Sequence, residues 1–100
     1  METDKLEPVH PGEVLREEFL EPMGLTQEQL ARDIHIGTTV VNAIVQQQQP
    51  VTADIALRLA RYFKMSPQFW LGLQMDYDLD IAEAELQDRL EKEVVVFSPV

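Results

Sequence analysis

The chain has 100 residues, which suits a single domain, and a formal net charge of −10. Apolar residues make up 45%, enough for one small core, and the lack of cysteine excludes a disulfide framework and a thiolate metal site. No apolar run approaches the ~20 residues of a membrane-spanning helix, and METDKLEPVH lacks the apolar centre of a signal peptide, so a cytoplasmic protein with no membrane partner is expected.

Taken in chain order, HPGEVLREEFLEPMG opens with Pro11 at a first helical position. Val14, Leu15, Phe19 and Leu20 follow at helical spacing, with Glu13 in the first turn, and Pro22 and Gly24 stop the helix. In LTQEQLARDI, Thr26 is an N-cap with Gln29 three places on, and Leu25 and Leu30 fit a hydrophobic staple. A third helix is predicted from about Thr38 to Gln46, with Val41, Ile44 and Val45 apolar. Thr52 caps ADIALRLARYF, whose inward stripe is Ile55, Ala56, Leu59, Ala60 and Phe63. Ser66 and Pro67 begin SPQFWLGLQMDYDL, with Phe69 and Trp70 read as core. The acidic DLDIAEAELQDRLEKE is also helical, with Leu79, Ala82, Leu86 and Leu90 roughly on one side. VVVFSPV changes character: it reads as an extended or β tail, packed along the domain or paired with another chain. There is no internal repeat, and no domain boundary before about Asp76.

Acidity sits at the two ends. Residues 1–25 carry Lys5 and Arg16 against seven acids, and residues 75–100 carry Arg89 and Lys92 against eight. The middle, 26–74, holds Arg32, Arg58, Arg61 and Lys64 against Glu28, Asp33 and Asp54, so it is nearly neutral.

QEQLARDIHIGTTVVNAIVQ, residues 27–46, has the pattern of two short helices joined by a tight turn. Ala31 supplies the small residue where they cross, and Leu30, Ile34, Ile36, Val41 and Ile44 pin both to a core. The outward face of the second helix, Thr38, Thr39, Asn42 and Gln46, is then free to enter a major groove and contact bases. HPGEVLREEFLEPMGLTQEQLA, VNAIV, VTADIALRLARYF and SPQFWLGLQMDYDL together resemble the HigA/VapI-type antitoxins, over about residues 9–79. These are small repressors of the Cro/cI-like helix-turn-helix class. The resemblance implies an all-α, five-helix Cro/cI-like (lambda-repressor-like) DNA-binding domain, a homodimer, double-stranded operator DNA as partner, repression of its own operon, and neutralisation of a HigB-like toxin, an mRNA-cutting ribonuclease of the RelE type. It divides the chain into an acidic arm (1–9), the helix-turn-helix domain (10–79), and an acidic helix with an apolar tail (80–100).

The sequence departs from that family at the site itself. His35 stands where the turn usually has Gly, Gln47 stands near a usual Gly, Gly37 replaces a usual Ser, and basic residues are missing at Thr38 and at Gln48 or Gln49. Gln27, Arg32, Gln47, Arg58 and Arg61 remain as candidates for phosphate contacts. An ion pair from Arg58 to Asp54 is the alternative for that arginine. The tract Gln46–Gln49 reads as the last turn of the recognition helix and the loop leaving it, rather than as a linker. His35 reads as a turn residue tolerating an unusual backbone angle, and Val94, Val95, Val96 and Phe97 as dimer or partner contacts. His10 and His35 lack ligand spacing, and no nucleophile or phosphate-cradling loop is present, so no metal, cofactor or catalytic site is expected. The alternative function is a degenerate helix-turn-helix that serves only as a protein-interaction module.

Overall fold

The computed structural model describes residues 8–99; residues 1–7 of the expected acidic arm lie outside the described residues. Five helices are present, and no strand among the described residues. Helix α1 spans 11–23, α2 Gln27–Ile34, α3 Thr38–Val45, α4 Ala53–Phe63 and α5 Pro67–Glu93. Four starts are capped by side chains. His10 Nδ1 accepts from Gly12 N–H (2.9 Å), and Thr26 Oγ1 accepts from Gln29 N–H (3.0 Å). Thr52 and Ser66 do the same for Ile55 and Gln68. Each cap satisfies an amide that has no partner within its helix.

The first four helices end alike. A residue in the left-handed region follows the helix: Gly24 (φ 62°), His35 (61°), Gln47 (64°) and Lys64 (58°). The next amide reaches back across the last turn: Leu25 to Leu20 O, Ile36 to Ala31 O, Gln48 to Ala43 O and Met65 to Ala60 O, all 2.8–3.0 Å. This is the Schellman motif. Leu25, Ile36 and Met65, each following the left-handed residue, pack against the core, as the motif favours. After α3 that position is Gln48, which is exposed.

Helix α1 is not uniform. Pro11–Val14 is α-helical, Leu15–Leu20 is π-helical, and Glu21–Met23 forms the last turn. The cause is local. Pro22 has no N–H to give to the carbonyl four residues back, and the amide of Glu21 bonds instead to Arg16 O, five back. Pro22 therefore lies within the helix rather than ending it, and Gly24 alone forms the stop.

Leu15, Leu20, Leu30, Ala31, Ile34, Val41, Ile44, Val45, Val51, Ile55, Ala56, Leu59 and Trp70 form one buried cluster. Trp70 is fully buried against Phe19 and Phe69, ring centroids 5.1 Å away in each case. Phe69 corrects the expectation that both aromatics are core, since it is 41% exposed. Consecutive helical residues point about 100° apart, and here Trp70 takes the inward direction while Phe69 lies at the edge of the buried face. Nothing between Pro67 and Glu93 breaks the helix, so the last helix expected of the domain and the acidic helix after it are one rod. From residue 75 on the rod has no fully buried residue, and the tail Val94–Phe97 is extended at its start and exposed, without strand pairing.

Candidate nucleic-acid interface

Helices α2 and α3 pack on one another through Leu30, Ala31, Ile34, Val41 and Ile44, all buried. One helix face of α3 is thereby used up, and Thr38, Thr39, Asn42 and Gln46 project to solvent from the other. The structure thus brings the four proposed base-reading residues together on one exposed face. The helix carries no charged side chain. Asn42 is tethered: its Nδ2 donates to Gln27 Oε1 at 3.1 Å, from the first residue of α2. That leaves the second Nδ2 hydrogen and Oδ1 of Asn42, and Nε2 of Gln27, unused by this hydrogen bond. Gly37, at the N-cap of α3, supplies no side-chain cap, so the first amides of α3 remain available to an external acceptor.

The proposed phosphate-contact residues are placed unequally. Arg32 and Arg61 are exposed and, among the described residues, form no ion pair. Gln47 is exposed at the exit from α3, and Gln27 is half-buried beside it through Asn42. Arg58 has partners inside the protein. It pairs with Asp54, and its Nη1 donates to Ile34 O (2.8 Å) and His35 O (3.4 Å), closing the C-terminus of α2 and the turn after it. An open groove of about 470 Å³ runs past these groups, lined by Asp33, Ile34, His35, Arg58, Arg61 and Tyr62. Tyr62 donates to Asp33 Oδ2 at 2.6 Å, and that hydrogen bond holds its phenol above the ordinary value.

Two residues to which the sequence assigns no role at the site, His10 and Gln74, support it from behind. His10 is buried, caps α1 and meets the Tyr77 ring edge-on at 4.8 Å. Burial lowers its pKa below the ordinary 6.5, opposed by the nearby charge of Asp78. Gly12, beside this cap, packs on the last turn of α3: a Cβ there would overlap Ile44 O. Gln74 is buried, accepts from Val51 N–H (2.7 Å) and donates to Asp78 Oδ1 (2.9 Å). Among the described residues no cluster of His, Cys, Asp or Glu could hold a metal ion, and no helix is long and apolar enough to cross a membrane.

A helix-turn-helix family model, HTH_3, matches residues 17–70. Virulence-associated protein I of Dichelobacter nodosus is 51% identical over 79 residues, covering 79% of this chain and 73% of that protein. Antitoxin HigA-1 of Vibrio cholerae is 38% identical, over 79% of this chain and 74% of its own length. The chain belongs to the HigA/VapI-type helix-turn-helix family. The solved structure of Pseudomonas aeruginosa antitoxin HigA with the higBA promoter superposes with a TM-score of 0.85 at 41% identity, covering 94% of this chain and 99% of that one. The relatives are transcriptional regulators and antitoxins, not enzymes. Two departures from the family now have a physical meaning. The glycines that the resemblance leads one to expect at His35 and near Gln47 would suit the backbone there, which is left-handed, where glycine is unstrained.

Proposed function

We propose that this protein binds operator DNA as a homodimer, represses its own operon in the cytoplasm, and neutralises a HigB-like, RelE-type mRNA-cutting toxin. The observation that carries the reading is the exposed polar face of α3, with Asn42 oriented by Gln27, in a chain 41% identical to an antitoxin solved with its promoter. Thr38, Thr39, Asn42 and Gln46 read base edges in the major groove, where an amide side chain pairs bidentately with adenine. Gln27, Gln47, Arg32, Arg61 and the uncapped amides at the start of α3 hold phosphates, largely by neutral donors. The two α3 helices of a dimer sit about one DNA turn apart, roughly 34 Å. The exposed tail Val94–Phe97 contributes to the contact between copies. The acidic ends stay off the DNA and suit a toxin whose RNA-binding surface is basic.

Titration of the protein on its own upstream DNA and on a scrambled duplex, at several salt concentrations, tests this. With about six phosphates neutralised per dimer, by Arg32, Arg61 and the exposed Lys64 of each copy, the log–log salt slope is about −5. Asn42→Ala and Gln46→Ala each cost about 1–3 kcal/mol on the operator and relax preference at one base pair per half-site. Light scattering of the whole chain and of one ending at Glu93 reads the dimer and the tail. Co-expression with the neighbouring reading frame, scored by complex formation and relief of growth arrest, reads the toxin. The net charge of −10 and the uncharged α3 favour a second reading, a protein-interaction module without specific DNA binding. Equal, weak binding to both duplexes would overturn the operator reading and leave that one standing.

A further inference from the structure

We infer that Gln74, on α5 and far from the helix-turn-helix in sequence, is a positioning residue for DNA reading that sets the exit of the recognition helix. The inference rests on the proposed reading of α3 and names what holds it in register. Three of the Schellman turns are secured by an apolar residue in the core, Leu25, Ile36 or Met65. The turn after α3 has Gln48 there, exposed, and so lacks that anchor. The chain is next fixed at Val51, whose side chain and amide are buried. That amide has no helix or strand partner and is met by the Gln74 side chain instead.

The orientation of the Gln74 amide is determined chemically. Asp78 at the other end is an acceptor, so it takes the Nε2 donor and turns Oε1 toward Val51 N–H. A flipped amide would set donor against donor and acceptor against carboxylate. Asp78, Gln74 and Val51 thus form a chain of hydrogen bonds from the surface of α5 to the loop that carries Gln46 and Gln47. Gly12, against Ile44 O, limits the same end of α3 from the other side.

The test uses three variants of the whole chain. Gln74→Leu removes both bonds. Gln74→Glu keeps an acceptor for Val51 but faces Asp78 with a like charge. Gln74→Glu combined with Asp78→Asn restores the chain with donor and acceptor exchanged. Operator and scrambled-DNA affinities are measured well below each variant's Tm. Exchange of the amides of residues 46–51 is followed in free protein. The expected result is an operator affinity about tenfold weaker for Gln74→Glu, with scrambled-DNA affinity and salt slope unchanged. Faster exchange at Val51 accompanies it, and the double variant recovers both. Gln74→Leu, if it folds, behaves like Gln74→Glu. A merely structural role lowers Tm and leaves the ratio of the two affinities alone. A ratio within twofold of wild type in folded Gln74→Glu overturns the inference while leaving the proposed function standing. A wild-type protein that does not distinguish the two duplexes overturns both.

Discussion

Before α3 the chain turns at His35, and after it at Gln47; both residues are left-handed and both turns carry the same pair of backbone bonds. The first turn is nailed down. Ile36 packs in the core, and Arg58 donates to two carbonyls of the turn from α4. The second presents Gln47 and Gln48 to solvent, and beyond the contact of Gly12 with Ile44 O the chain is next fixed at Val51. Backbone geometry alone therefore does not say how firmly a turn is held. The side chains around it do, and here the looser turn is the one beside the outward face of α3.

The largest test of that difference falls at the back of α3. Gly12→Ala puts a methyl group into Ile44 O and forces α1 away from the second turn. Thermal unfolding should show a loss of about 3 kcal/mol, and a loss below about 1 kcal/mol would mean the contact yields cheaply. At the first turn, Arg58→Ala strips a donor from the Ile34 and His35 carbonyls and leaves Asp54 unpaired. Because the arginine is partly exposed, the expected cost is about 1–2 kcal/mol. The same variant sharpens its assignment on DNA. An unchanged salt slope marks Arg58 as a holder of the turn, and a slope shallower by about two, one for each copy in the dimer, marks it as a phosphate contact.

A third test uses pH. The folded state lowers the His10 pKa, so the unfolded chain binds the proton more readily. The stability that neutral His10 supplies is complete above the ordinary value of 6.5 and is lost as pH falls through the lowered folded value. Asparagine also caps helices and does not titrate, so His10→Asn should flatten the Tm–pH curve as pH falls below 6.5. An unchanged curve would assign that slope to other groups. The smallest effects belong to the turn residues. His35→Gly and Gln47→Gly each relieve a left-handed side chain at the cost of chain entropy, a net gain of up to about 1 kcal/mol. If Gln47→Gly is strongly destabilising, the second turn is held by more than the structure shows.

Much of this was legible because the signals were local. Thr26, Thr52 and Ser66 cap helices a few residues away, and both the turn role of His35 and the Arg58–Asp54 pair were foreseen. What escaped depends on distant partners. Gln74 matters through Val51, 23 residues earlier, and nothing in either neighbourhood announces the bond. His10 was weighed as a metal ligand and not as a cap, because histidine is an uncommon N-cap. The π-helical stretch has a visible cause in Pro22, yet sequence reading took that proline as a stop. The site face itself was readable because four outward positions on a short helix follow from its three buried ones.

Beyond Gln74 the fifth helix runs on from Met75 to Glu93, about 28 Å of rod with little packed against it. Mechanically it is a lever whose fulcrum lies at Gln74 and Tyr77, which seat it on Val51 and His10. A tilt of about 5° there sweeps the tip through roughly 2.5 Å, and conversely a load on the tip reaches the fulcrum as torque. A molecule gripping the far end would therefore pull on the loop behind α3 without touching it.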